Sequence, residues 1–114
     1  MTRRRVFAAV WVQALAAFAA GLLVPAVLVA ANVVPIGMKK LTFTPSAVEV
    51  HVGDTIEWSN DDFLEHTATA RDGSWDFVLP KGSKTRMTVK TAGSFDYFCR
   101  LHPNMTGRIV VEPQ

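Results

Sequence analysis

From Val6 to Met38 the chain runs for 33 residues without a charged side chain. Arg3, Arg4 and Arg5 stand before this run, and no acidic residue occurs before Glu49. A positive start, an apolar stretch from Val6 to Val24 and the small residues of Val29-Ala30-Ala31 form the pattern of an export signal. Cleavage is expected after Ala31, with Gly21 and Pro25 ending a signal helix before that site. The alternative is an uncleaved membrane anchor, since an apolar helix of about 20 residues can span a bilayer. Either way, the arginine-rich end stays inside and the rest of the chain lies outside the cytoplasm, in the periplasm or an equivalent space. The chain therefore divides into a signal peptide or anchor, 1–31, and one small domain, 32–114.

Removing the leader changes the charge balance. The whole chain has a formal charge of +2. The part after residue 31 holds nine basic and ten acidic side chains. Nucleic-acid binding needs basic residues clustered against phosphate, and the folded part offers no such cluster. A domain of about 80 residues buries only roughly 60% of its unfolded surface, so small exported domains often carry disulfides. This one has a single cysteine, Cys99, which leaves an intermolecular bridge, a buried thiol or a metal ligand.

The remainder reads as all β. Val48, Val50 and Val52 alternate with Glu49 and His51, the period of a strand with one buried face. Gly53-Asp54 turns the chain into Thr55–Ser59, which closes at Asn60-Asp61-Asp62. His66–Ala70 is a short strand followed by a turn at Asp72-Gly73. Thr85, Met87 and Val89 mark another, Phe95–Cys99 the next and Thr106–Val111 the last. Leu41 and Phe43 indicate a first strand ended by Pro45, and residues 32–38 a linker or the start of that strand. Short strands with frequent turns point to a sandwich or barrel.

The loop between the last two strands reads Cys99-Arg100-Leu101-His102-Pro103-Asn104-Met105. A tight connection can turn a thiolate, an imidazole and a thioether toward one point, and Pro103 stiffens it. His66, at the edge of another strand, supplies a fourth donor. Two imidazoles and a thiolate with a weak axial methionine suit copper that changes oxidation state. Zinc fits less well, because structural zinc takes four Cys or His ligands. Haem attachment needs Cys-x-x-Cys-His, which this loop lacks.

On these residues the chain resembles the cupredoxins, the small blue copper proteins, and most of all their amicyanin, plastocyanin and pseudoazurin branch. The resemblance also rests on Phe43-Thr44-Pro45, Val52 to Trp58, His66-Thr67, Asp72-Gly73-Ser74 and Ala92-Gly93, and it runs from about Val33 to Glu112. It implies a small Greek-key β-sandwich behind the N-terminal helix, one type 1 copper ion, and His66, Cys99, His102 and Met105 as its ligands. Thr67 stands where many relatives have an asparagine that ties the two ligand loops, and a hydroxyl can make a similar bond.

The expected function is that of an exported, monomeric one-electron carrier with no enzyme activity, meeting redox partners at an apolar patch of Phe63, Leu64, Leu101 and Pro103 around His102. The alternatives are a periplasmic copper-delivery protein and a membrane-tethered accessory domain of an oxidase or dehydrogenase. Outside the site, His51 lies on the polar phase of its strand, and Trp58, Trp75 and Met87 are read as packing residues.

Overall fold

The computed structural model describes residues 13, 14, 16, 17, 19–25 and 30–114. Of the expected cleavage signal, Val29 lies outside the described residues, as do residues 6–12, 15 and 18 of the expected N-terminal helix. Those of residues 19–25 that the helix would include are irregular and exposed. Among the described residues no helix is long and apolar enough to cross a membrane.

The domain is built from nine strands: β1 Val33–Lys39, β2 Thr42–Thr44, β3 Ala47–His51, β4 Thr55–Asn60, β5 His66–Ala70, β6 Asp76–Leu79, β7 Lys84–Thr88, β8 Gly93–Phe98 and β9 Thr106–Glu112. They form two sheets, ordered β2-β1-β4-β7 and β3-β9-β8-β5-β6. β1 pairs β4 in parallel and β3 pairs β9 in parallel, while the other pairs are antiparallel. This is the β-sandwich expected. Val48 and Val50 are buried between exposed neighbours on β3, as their alternation requires.

Of the two readings of residues 32–38, the strand holds and the linker does not: residues 33–38 are most of β1, separate from the strand of Phe43, and Ile36 and Met38 are core residues. Pro35 is tolerated there because β2 pairs β1 only at Gly37, Met38 and Lys39, so Pro35 needs no ladder donor on that side. Leu41 does not belong to a strand. It is 47% exposed and, with Lys40, forms a turn at positive φ, 54° for Lys40 and 59° for Leu41.

The core centres on Trp58 and Tyr97, whose rings meet edge-on with centroids 5.8 Å apart. Ile36, Met38, Ile56, Leu79 and Ile109 close around them. Asn60 is buried among these apolar groups yet both its amide protons and its oxygen find partners. Its Nδ2 donates to the carbonyls of Leu64, at 2.8 Å, and Leu79, at 2.9 Å, and its Oδ1 accepts from the Asp62 amide at 2.9 Å. The loop that leads to His66 is thereby pinned to the core. At the other end, Asp54 accepts from the amides of Asn32, at 2.9 Å, and His51, at 2.8 Å. Those two bonds, Asn32 foremost, hold its carboxyl below the usual range.

Burial pushes the Tyr97 phenol up to about 12. An unfolded tyrosine ionises near pH 10, so the folded state favours the neutral phenol. This contribution to stability is intact below pH 10 and is lost as pH rises toward 12. At pH 11 the loss is about 1.4 kcal/mol. Denaturant unfolding of Tyr97→Phe is expected to lose less stability between pH 9 and 11 than the parent. Equal losses would show that this phenol does not titrate abnormally.

Candidate metal centre

His66, Cys99 and His102 come together at one end of the sandwich, with one donor atom from each all within 4.8 Å of one another. The Cys99 sulfur lies 3.7 Å from His66 Nδ1 and 3.6 Å from His102 Nδ1. The two Nδ1 atoms are 3.2 Å apart. Cys99 and His66 are fully buried, while His102 is half-buried.

The chain reaches this arrangement by local turns. β8 delivers Cys99 and β9 begins just beyond Met105. Between them, the His102 amide donates to the Cys99 carbonyl at 3.3 Å and the Met105 amide to the His102 carbonyl at 2.8 Å. The Cys99 amide closes the loop on the Met105 carbonyl at 3.0 Å. Met105, 2% exposed, is thus buried at the foot of the same loop.

His66 is held from behind by a residue that the sequence reading passed over. Its Nε2 donates to Asp62 Oδ2 at 2.7 Å. With that nitrogen carrying the proton, Nδ1 is left with its lone pair toward the sulfur. Asp62 also accepts from the amides of Lys40, at 2.8 Å, and Leu41, at 3.1 Å. The left-handed turn at these two residues aims successive amides at one carboxylate, a small anion-holding nest. Burial opposes ionisation of Asp62, but the bonds from His66, Leu41 and Lys40 outweigh it and hold the carboxyl below its usual range. A carboxylate four residues before a candidate histidine ligand was the available signal. The contact itself depends on the loop's fold.

Thr67 ties the two ligand segments in both directions. Its amide donates to the Cys99 sulfur at 3.3 Å. Its hydroxyl oxygen accepts from the Arg100 amide at 2.8 Å. The bond expected of a hydroxyl at this position is present. His51 remains on the surface, as its place on β3 predicts.

Two imidazole nitrogens, that of His66 with its lone pair inward, beside a buried sulfur already supplied with an N–H donor, form a soft donor set. Such a set suits a copper centre.

Comparisons with known proteins agree. Residues 6–111 match the model of the cupredoxin-like domain family. Over 90 residues the chain is 30% identical to amicyanin of Paracoccus versutus, which covers 74% of this chain and 68% of that protein. A reduced-state structure of an amicyanin variant superposes with a TM-score of 0.62 and 28% identity, over 70% of this chain and 82% of its own. A copper-containing nitrite reductase from Thermus scotoductus SA-01 matches with a TM-score of 0.63 and 32% identity over 69% of this chain. The match spans only 22% of the reductase. Fold, donor geometry and kinship converge: the chain belongs to the cupredoxin family, and its cofactor is a single type 1 copper ion.

Proposed function

We propose that the protein is an exported one-electron carrier whose copper is held by His66, Cys99, His102 and Met105. The observation that carries this reading is the convergence of His66 Nδ1, His102 Nδ1 and the Cys99 sulfur within 4.8 Å of one another. When bound, copper supplies a one-electron change between Cu(II) and Cu(I). The chain's own residues hold the donors in place. Asp62 fixes the His66 ring, and Thr67 fixes the sulfur. Burial of Cys99, His66 and Met105 keeps water from the donors. Four donors from the chain also leave no open position for a substrate, which a catalytic metal site requires.

The route for the electron is His102, the one donor of the three clustered groups that approaches the surface. The patch would be made of residues that flank the two ligand segments in sequence: Phe63 at 87% exposure, Leu64 at 50% and Leu101 at 49%, with exposed Pro103. An apolar patch of this kind suits a small, transient redox interface. A delivery protein would need donors open to exchange, which the burial of Cys99 and His66 does not favour.

Export is supported by the arginines and apolar run of the leader. The first strand among the described residues also starts just past the proposed cleavage, at Val33. The Thr55 amide donates to the Asn32 carbonyl at 2.8 Å, and the Asn32 amide is held by Asp54.

Cu(II) added to the protein should give an intense blue thiolate-to-copper band and a matching spin-resonance signal. A colourless protein, or one that prefers zinc, would overturn the reading. Leu101→Glu is expected to leave that band in place and slow electron self-exchange, measured by NMR line broadening, about tenfold or more. Two like charges then face each other across the contact. An unchanged rate would remove the patch from the mechanism.

A further inference from the structure

The two segments that carry the buried donors are joined by very little main chain. β5 and β8 share only two partner pairs, Thr69 with Phe98 and Ala70 with Tyr97. The ladder stops before it reaches His66, Thr67, Cys99 or Arg100. From there the segments are tied by side chains, and these extend well beyond the centre.

Thr69 Oγ1 donates to Asp76 Oδ1 at 2.7 Å. Thr69 and Thr67 share a bond of 2.9 Å between their hydroxyl oxygens. A hydroxyl has one proton. Thr69 has spent its proton on the carboxylate, so Thr67 must donate to Thr69. Thr67 has then spent its own proton and can only accept from the Arg100 amide, as it does at 2.8 Å. The chain of bonds therefore has one direction: Arg100 amide to Thr67, Thr67 to Thr69, Thr69 to Asp76. The Arg100 guanidinium returns to the same carboxylate, with Nε 3.1 Å from Asp76 Oδ1. The hydrogen bonds from Thr69 and from Arg100, in that order, hold the Asp76 carboxyl below its ordinary range, so it is an acceptor only. Its end of the relay is half exposed, whereas Thr67 and Thr69 are buried.

We propose that Asp76, acting through Thr69 and Thr67, is a positioning residue that sets the hydrogen bond on the Cys99 sulfur and so the reduction potential of the copper centre. The potential part rests on the copper reading above. An N–H pointed at the sulfur stabilises negative charge there and favours the reduced metal. With the relay intact, Thr67 is clamped between Arg100 and Thr69, and its own amide is aimed at the sulfur. Without the relay, the buried Thr67 hydroxyl has no acceptor. It must turn to find one, which releases the Arg100 amide and loosens the amide–sulfur bond.

The test compares Thr69→Val, which keeps the shape and removes the hydroxyl, with Thr69→Ser, which restores it. In the metal-free full chain, Arg100 amide hydrogen exchange should speed up about tenfold or more in Thr69→Val, the equivalent of one lost bond. Amides of the β3–β9 ladder should not change. In the copper-loaded protein the potential should fall in Thr69→Val and recover in Thr69→Ser. If Thr69→Val does not fold, Asp76→Asn, altered at the half-exposed end, should move both readings the same way and less. Unchanged Arg100 exchange overturns the relay. Faster exchange with an unchanged potential overturns its link to the sulfur, as does failure of Thr69→Ser to restore either. A chain that bound no copper would remove the function reading, while the exchange measurement alone would still decide the relay.

Discussion

Gly107→Ala is expected to destabilise the protein by about 3 kcal/mol or more. A Cβ at this position would run into Tyr97 Cζ and lie 2.5 Å from Cε1 and 2.6 Å from the phenol oxygen. Carbon atoms at rest stand about 3.5–4.0 Å apart, so a shift of an ångström or more is required. The ring has nowhere to go. Tyr97 is fully buried, 4.6 Å by centroid from Phe43, 5.8 Å from Trp58 and 6.2 Å from Trp75. Overpacking of a tight core commonly costs about 1–3 kcal/mol, and this site sits at or beyond that upper end. Since a small domain holds only about 5–15 kcal/mol in all, the melting temperature should drop by roughly 12 °C or more.

The same pair matters to the centre. Tyr97 and Gly107 are direct partners across β8 and β9. Each lies two residues from a candidate ligand, Cys99 on one side and Met105 on the other. The measurement is denaturant unfolding of Gly107→Ala, Tyr97→Leu and the double variant. Shortening the ring should relieve the clash, so the double variant should be more stable than the two single losses predict, by about 1 kcal/mol or more. Strictly additive losses would place the cost of Gly107→Ala elsewhere.

How much of this was legible beforehand depends on the kind of signal. Alternation exposed β3, because Val48 and Val50 face the core while Glu49 faces water. The same test missed β6. Phe77 and Leu79 point inward, but exposed Val78 is apolar too, so Asp76–Leu79 shows no clean period of two. β1 was obscured by its neighbour in sequence. Val33 to Met38 continues the uncharged run of the leader, and nothing in composition separates a leader's end from a buried strand's beginning. The candidate donors stood out because three of them sit in a seven-residue loop whose spacing limits where they can point. Asp62, Thr69 and Asp76 were not. Each is an ordinary polar residue in sequence, and its role is made only by contacts between segments that folding brings together. Thr67 lay between these cases: its position beside His66 made it noticeable, while the partner of its hydroxyl needed the structure.

Cys99→Ser is expected to abolish the blue band and to weaken copper binding by more than the roughly 10–100-fold that follows loss of an outer-shell partner. The described residues contain one free cysteine, and it is buried, so no second thiol can substitute. A serine oxygen at this position is a hard, weakly acidic donor and has no low-lying thiolate charge to send to copper. His66, His102 and Met105 remain, which leaves two imidazoles and a thioether, a set that suits Cu(I) better than Cu(II). The fold should survive the change. Serine is smaller than cysteine, and the Thr67 amide, 3.3 Å from the sulfur, offers its oxygen a donor. Loss of stability in the metal-free protein should therefore stay within about 1–2 kcal/mol. The decisive comparison is a Cu(II) titration of parent and variant followed by visible absorption, with metal-free melting curves alongside. A variant that melts like the parent but stays colourless assigns the band to the Cys99 sulfur. A variant that keeps the band would show that the chromophore lies elsewhere and would overturn the proposed ligand set.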